Sequence, residues 1–105
     1  MREERIARLK AILELEPNDS FSRYALALEF AGMDNSAGAL ELLEDLVRRD
    51  PSYVPTYQQL GYLYLKIGRT DDARAILIRG MEVASQQGDF HARSEMQDAL
   101  DEMNP

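Results

Sequence analysis

The chain echoes itself at a fixed interval. Leu9, Leu43 and Leu77 stand 34 residues apart, and Pro17 is followed by Pro51 at the same step. That step also carries Leu26 onto Leu60, Ala27 onto Gly61, Phe30 onto Tyr64, Ala39 onto Ala73 and Ser36 onto Thr70. Large, small and hydroxyl positions recur in register. A period of this length marks one supersecondary unit that cannot bury its apolar face alone, so neighbouring copies must pack together to complete a core.

Punctuation and apolar spacing make that unit helical. Six helices are predicted near 2–16, 20–32, 36–49, 55–67, 71–87 and 89–103, which gives an all-α chain of antiparallel hairpins. Pro17 and Pro51 stop helices, Ser36 and Thr70 are placed to cap the next ones, and Pro55 suits a first helical turn. Gly32, Gly68 and Gly88 read as turns, and Asp71 and Asp72 as acids favoured at a helix start. Ala27, Gly61, Ala39 and Ala73 let helix backbones approach closely, while Leu26, Phe30, Leu60 and Tyr64 fill the space between hairpins.

These positions resemble the signature of the tetratricopeptide repeat family, in particular its short bacterial members. The second repeat, 54–87, matches closely with Tyr57, Leu60, Gly61, Tyr64, Ala73, Leu77 and Gly80. The first, 20–53, is looser: Arg23 replaces the large first residue, and Leu46 replaces the later small one. The resemblance implies a short superhelix and a single domain spanning 1–105, in which 2–16 and 89–103 cap the two repeats. Each end helix carries one apolar stripe: Ile6, Leu9, Ile12 and Leu13 at the start, and Ala92, Met96, Ala99, Leu100 and Met103, led by Phe90, at the end. Both ends therefore read as closed, and a monomer is expected. Continuing the 34-residue step would put Ser94, Glu95 and Asp98 at core positions, and Ser85 stands where a third proline would be. The last helix is accordingly expected to be rotated relative to a true repeat.

The two inner helices are apolar on two sides. Phe21, Tyr24 and Leu28 lie nearly opposite Leu26 and Phe30, and Tyr62 and Leu65, beside Gln58 and Gln59, lie opposite Leu60, Leu63, Tyr64 and Ile67. In the family such positions line a groove that receives a partner segment. The resemblance thus implies a protein-binding surface of Phe21, Tyr24, Leu28, Gln58, Gln59, Tyr62 and Leu65. The opposing reading is a second layer of core covered by the last helix. The clamp with which chaperone-binding relatives hold a C-terminal carboxylate would fall here on Tyr24, Leu28, Gln59, Asp89 and Arg93, of which only Arg93 fits. An apolar or mixed protein segment is the expected partner. The alternative is a structural role through self-association, as a homodimer built on the groove or the end helices.

Other chemistries are poorly supported. A net charge of −7 opposes approach to nucleic acid and anionic lipid. Asp89, Glu95, Asp98, Asp101 and Glu102 face only Arg93 and read as a solvated helix surface. With no cysteine, neither a disulfide nor a thiolate site is available. The opening segment to Pro17 mixes four basic with four acidic side chains and has no apolar run for a signal peptide or membrane span, which makes the cytoplasm the default expectation. His91, Glu95 and Asp98 share a helix face, but a lone histidine near a helix start reads as solvated or capping rather than metal-binding. No phosphate loop or nucleophile motif occurs, so no enzyme activity and no cofactor are expected.

Overall fold

Helix starts and stops are set by local chemistry, and the resulting elements are all helical. The computed structural model describes residues 1–104, which contain α1 (Arg2–Leu15), α2 (Ser20–Gly32), α3 (Ser36–Arg49), α4 (Val54–Lys66), α5 (Thr70–Gln86) and α6 (Phe90–Met103), with no strand among them. Two compact units divide at Asp50–Pro51. The first holds α1 to α3, the second α4 to α6.

Several boundaries differ from the sequence reading for identifiable reasons. Asn35 rather than Ser36 caps α3, its side-chain oxygen accepting from the Gly38 N–H at 2.9 Å. Thr70 is already helical, preceded by Arg69, which makes no side-chain cap. Asp89 lies just outside α6 and caps it by accepting from the Ala92 N–H at 3.1 Å. Gly32 is not a turn residue but the last of α2; Asp34 takes the left-handed conformation there, at φ 59°, in the place that Gly68 fills one repeat later at φ 83°.

In the first unit α2 packs between α1 and α3. Leu9, Ala25 and Leu26 form a buried cluster flanked by Ile6, Leu13, Phe30 and Leu42. Ala27 and Ala39 are buried with Leu43 and Leu46, as their small size predicts for close helix contact. Ile12 does not join the α1 stripe and stays exposed. Glu29 of α2 instead holds α1 through Arg2 and Arg5, each at 3.5 Å.

The second unit packs α5 against both α4 and α6, and α4 also touches α6. Tyr57, Leu60, Ala73, Leu77, Ala84 and Met96 are fully or almost fully buried. The glycines here are steric requirements. A Cβ on Gly61 would lie 2.5 Å from Leu77 Cδ2, and one on Gly80 would lie 2.5 Å from Tyr57 Cβ and 2.6 Å from Met96 Sδ. Ile67, assigned to the inward face from sequence, ends α4 as its C-cap and is exposed.

The expected rotation of α6 has a simple origin. α4 begins 34 residues after α2, from Ser20 to Val54, whereas α6 begins 36 after α4, from Val54 to Phe90. Without a proline at Ser85, α5 runs for 17 residues where α3 runs for 14. At the longer step Leu60 maps onto Met96, Leu63 onto Ala99 and Tyr64 onto Leu100, and all six are buried. Ser94, Glu95 and Asp98 turn to solvent.

Candidate functional site

Burial of one side of α4 leaves the other side on display. Leu60 and Tyr64 are buried, while Tyr62 remains 40% exposed and Leu65 half-buried. One turn apart on the same side, the Gln58 amide donates to the Tyr62 hydroxyl at 2.8 Å. Gln59 is half-buried beside them.

Tyr62 and Leu65 line an open cleft of about 360 Å³ whose remaining wall is Thr70 of α5 with Ala99, Glu102 and Met103 of α6. The cleft depends on the 36-residue step, because that step turns the Ala99 and Met103 side of α6 toward α4. The last helix therefore flanks these two residues and does not bury them. Chemically the cleft offers an aromatic ring, aliphatic walls, a hydroxyl at Thr70 and one carboxylate at Glu102. It suits an apolar segment with a donor at its edge.

In the first unit, Phe21 is 63% exposed, Leu28 is exposed and Tyr24 is half-buried. Helical spacing puts the three on one side of α2, away from Leu26, which enters the core with Leu9, while Ala25 lies at the edge between the two sides. The structure thus joins Gln58 to Tyr62 and Tyr62 to Leu65, and groups Phe21, Tyr24 and Leu28 separately on α2.

A different exposed surface was missed by the sequence reading. Phe90, expected to lead the α6 stripe, is 64% exposed, and Ile78 of α5 is 50% exposed. The end helix is not closed in the way its single stripe implies. The signal lay in register: at a step of 36, Arg93 takes the place of Tyr57 and Gln97 that of Gly61, on the side of the helix that in α4 faces the next helix.

The polar groups of α6 are spread over its exposed surface. His91 lies on the surface and pairs with Glu95 at 3.2 Å. Among the described residues no three histidine or carboxylate side chains come together as a metal site. The observed step also moves the last two carboxylate-clamp positions from Asp89 and Arg93 to His91 and Glu95, which removes the arginine and sets a carboxylate where a ligand carboxylate would lie. Among the described residues, no helix is long and apolar enough to cross a membrane.

Comparison with known proteins agrees with the fold. No curated protein matches the chain significantly. A tetratricopeptide repeat domain protein from Salinibacter ruber is 51% identical in its crystal structure, with a TM-score of 0.74 over 77% of this chain and 90% of that one. Its solution structure gives 0.76 over 79% and 84%. A protein from Bordetella parapertussis is 26% identical, with a TM-score of 0.79 over 92% of this chain and 84% of that one. MamA, at 23% identity, shares the fold with a TM-score of 0.75 over 80% of this chain and 49% of its own. The tetratricopeptide repeat model itself matches residues 31–101, and with that match the chain belongs to the tetratricopeptide repeat family.

Proposed function

We propose that this chain is a non-catalytic binding module, a single cytoplasmic repeat domain that holds an apolar or mixed segment of another protein. The tetratricopeptide fold is in general a protein–protein interaction module, which supports the class. The observation that carries the reading is the open cleft of Tyr62 and Leu65, apolar yet left accessible while the opposite side of the same helix is buried. In this reading Tyr62 is the anchor, Leu65 extends its apolar contact, and Gln58 and Gln59 offer amides to a partner backbone. Phe21, Tyr24 and Leu28 make a second apolar contact face on α2. Binding rests on burial of aromatic and aliphatic surface, with no bond made or broken.

Affinity capture from the native host, comparing the unaltered chain with Tyr62→Ala, tests this. Truncating a central aromatic anchor costs ~2 kcal/mol or more, so the variant should lose a specific partner by more than about thirtyfold while remaining folded. Equal recovery of every partner by the two proteins would refute the assignment.

A further inference from the structure

Among the described residues, no element covers the side of α5 and α6 remote from the Tyr62 cleft. On α4 the equivalent side is closed by α5, with Gly61 under Leu77 and Tyr57 against Gly80. Among the described residues no helix follows α6 to do the same. An open cleft of about 550 Å³ lies there, lined by Ile78, Met81 and Glu82 of α5 and Arg93, Gln97 and Leu100 of α6. Beside it a hollow of about 310 Å³ runs from Met81 to Phe90. The half-exposed Ile78 and the mostly exposed Phe90 give this surface apolar character.

Two opposite charges stand on opposite walls of the cleft, Glu82 on α5 and Arg93 on α6, and among the described residues neither forms an ion pair. We propose that this surface binds a second copy of the same chain about a two-fold axis, placing Arg93 of each copy against Glu82 of the other around buried Ile78, Met81 and Phe90. Self-complementarity of charge is what an isologous contact requires. The competing arrangement, in which α1 of a second copy completes the hairpin left open by α6, is poorly packed. Arg93 stands at the position of Tyr57, which packs on Gly80, and the α1 equivalent of Gly80 is Ile12, so the guanidinium would meet an aliphatic side chain with no carboxylate partner, while Gln97 would stand where glycine fits against a leucine. An unpaired charge and overpacking both oppose it.

Sedimentation velocity over a range of concentrations tests the proposal on the full chain. The unaltered protein should pass from the mass of one chain to that of two as concentration rises. Arg93→Glu or Glu82→Arg alone should weaken the dimer by about thirtyfold or more, since each puts like charges across both halves of the contact. The double reversal should restore it, Phe90→Ser should abolish it, and Tyr62→Ala should leave it unchanged. Far-UV circular dichroism of each variant guards against loss of fold. A protein that stays monomeric at ~1 mM, where even weak association shows, would overturn the proposal. So would a dimer indifferent to both charge reversals, one not recovered by the double reversal, or one abolished by Tyr62→Ala.

Discussion

Arg23 in the first unit and Tyr57 in the second occupy the same repeat position and make the same hydrogen bond with different chemistry. The Arg23 guanidinium donates to the Pro17 carbonyl at 2.7 Å, and the Tyr57 hydroxyl donates to the carbonyl of Pro51, the repeat equivalent of Pro17. Their neighbours differ to match. Arg23 pairs with Asp45 at 3.0 Å beside the buried Leu46. Tyr57 instead lies under Arg79 at 5.7 Å, against Gly80, which stand at the positions of Asp45 and Leu46. The repeat thus specifies a donor to the proline carbonyl and a fixed volume. A charged arm with a carboxylate and a leucine satisfies that demand as well as a ring with a glycine.

Exchanging the volume-filling residues should break the equivalence most severely. Leu46→Gly removes a buried side chain and adds helix flexibility, for an expected loss of about 4–6 kcal/mol. Gly80→Leu drives side-chain atoms into Tyr57 and Met96 and should cost about 2–3 kcal/mol. Chemical denaturation of both variants checks this. A tolerated Gly80→Leu would mean that the two units do not divide space as described.

Charge offers a smaller effect. Partial burial pushes the Asp45 carboxyl toward its neutral form, but the Arg49 hydrogen bond and the Arg49 and Arg23 charges outweigh that and hold its pKa below the ordinary value. Arg49 Nε lies at 2.7 Å and Arg48 at 3.1 Å. A depressed folded pKa gives stability that is present above the unfolded value near 4 and is lost as pH falls through the folded one. Asp45→Asn should therefore cost ~1–2 kcal/mol at pH 7. The gap from the unaltered protein should begin to narrow below about pH 4 and close as pH falls through the depressed folded value. A gap independent of pH would remove Asp45 from the Arg23 network.

The smallest effect has the opposite sign. Ser22 donates to Asp19 at 2.6 Å, whereas the hydroxyl of Thr56, its repeat equivalent, is buried without a hydrogen-bond partner among the described residues. Thr56→Val is expected to stabilise by up to ~1 kcal/mol and Ser22→Ala to destabilise by a similar amount. Thermal melts of the two variants moving in the same direction would contradict the distinction.

Much of this was legible because helix spacing and breakers are local. The period located Leu26, Leu60, the small residues at helix contacts and the two-sided character of α2 and α4. It failed where a distant residue decides. Nothing near Arg23 announces Asp45, which α3 brings to it from 22 positions away. Asn35 and Ser36 are adjacent acceptors, and one residue of helix phase chose between them. At α6 the missing proline left α5 free to run on, and only the Ala92, Met96 and Leu100 stripe recorded the change of step. Phe90 was misplaced because an apolar residue at a helix start suits a stripe or an exposed edge equally well. The exposure of Tyr62 depended on where α6 docks, which no pattern within α4 encodes.

The central claim is that α4 is core on one side and display on the other. Equilibrium denaturation of Leu60→Ala and Tyr62→Ala under identical conditions tests it without knowledge of a partner. Leu60 is buried, so its truncation should cost about 2–5 kcal/mol, whereas removal of the Tyr62 ring should cost less than ~1 kcal/mol. Equal losses would show that Tyr62 is part of the core and that the binding cleft is misassigned.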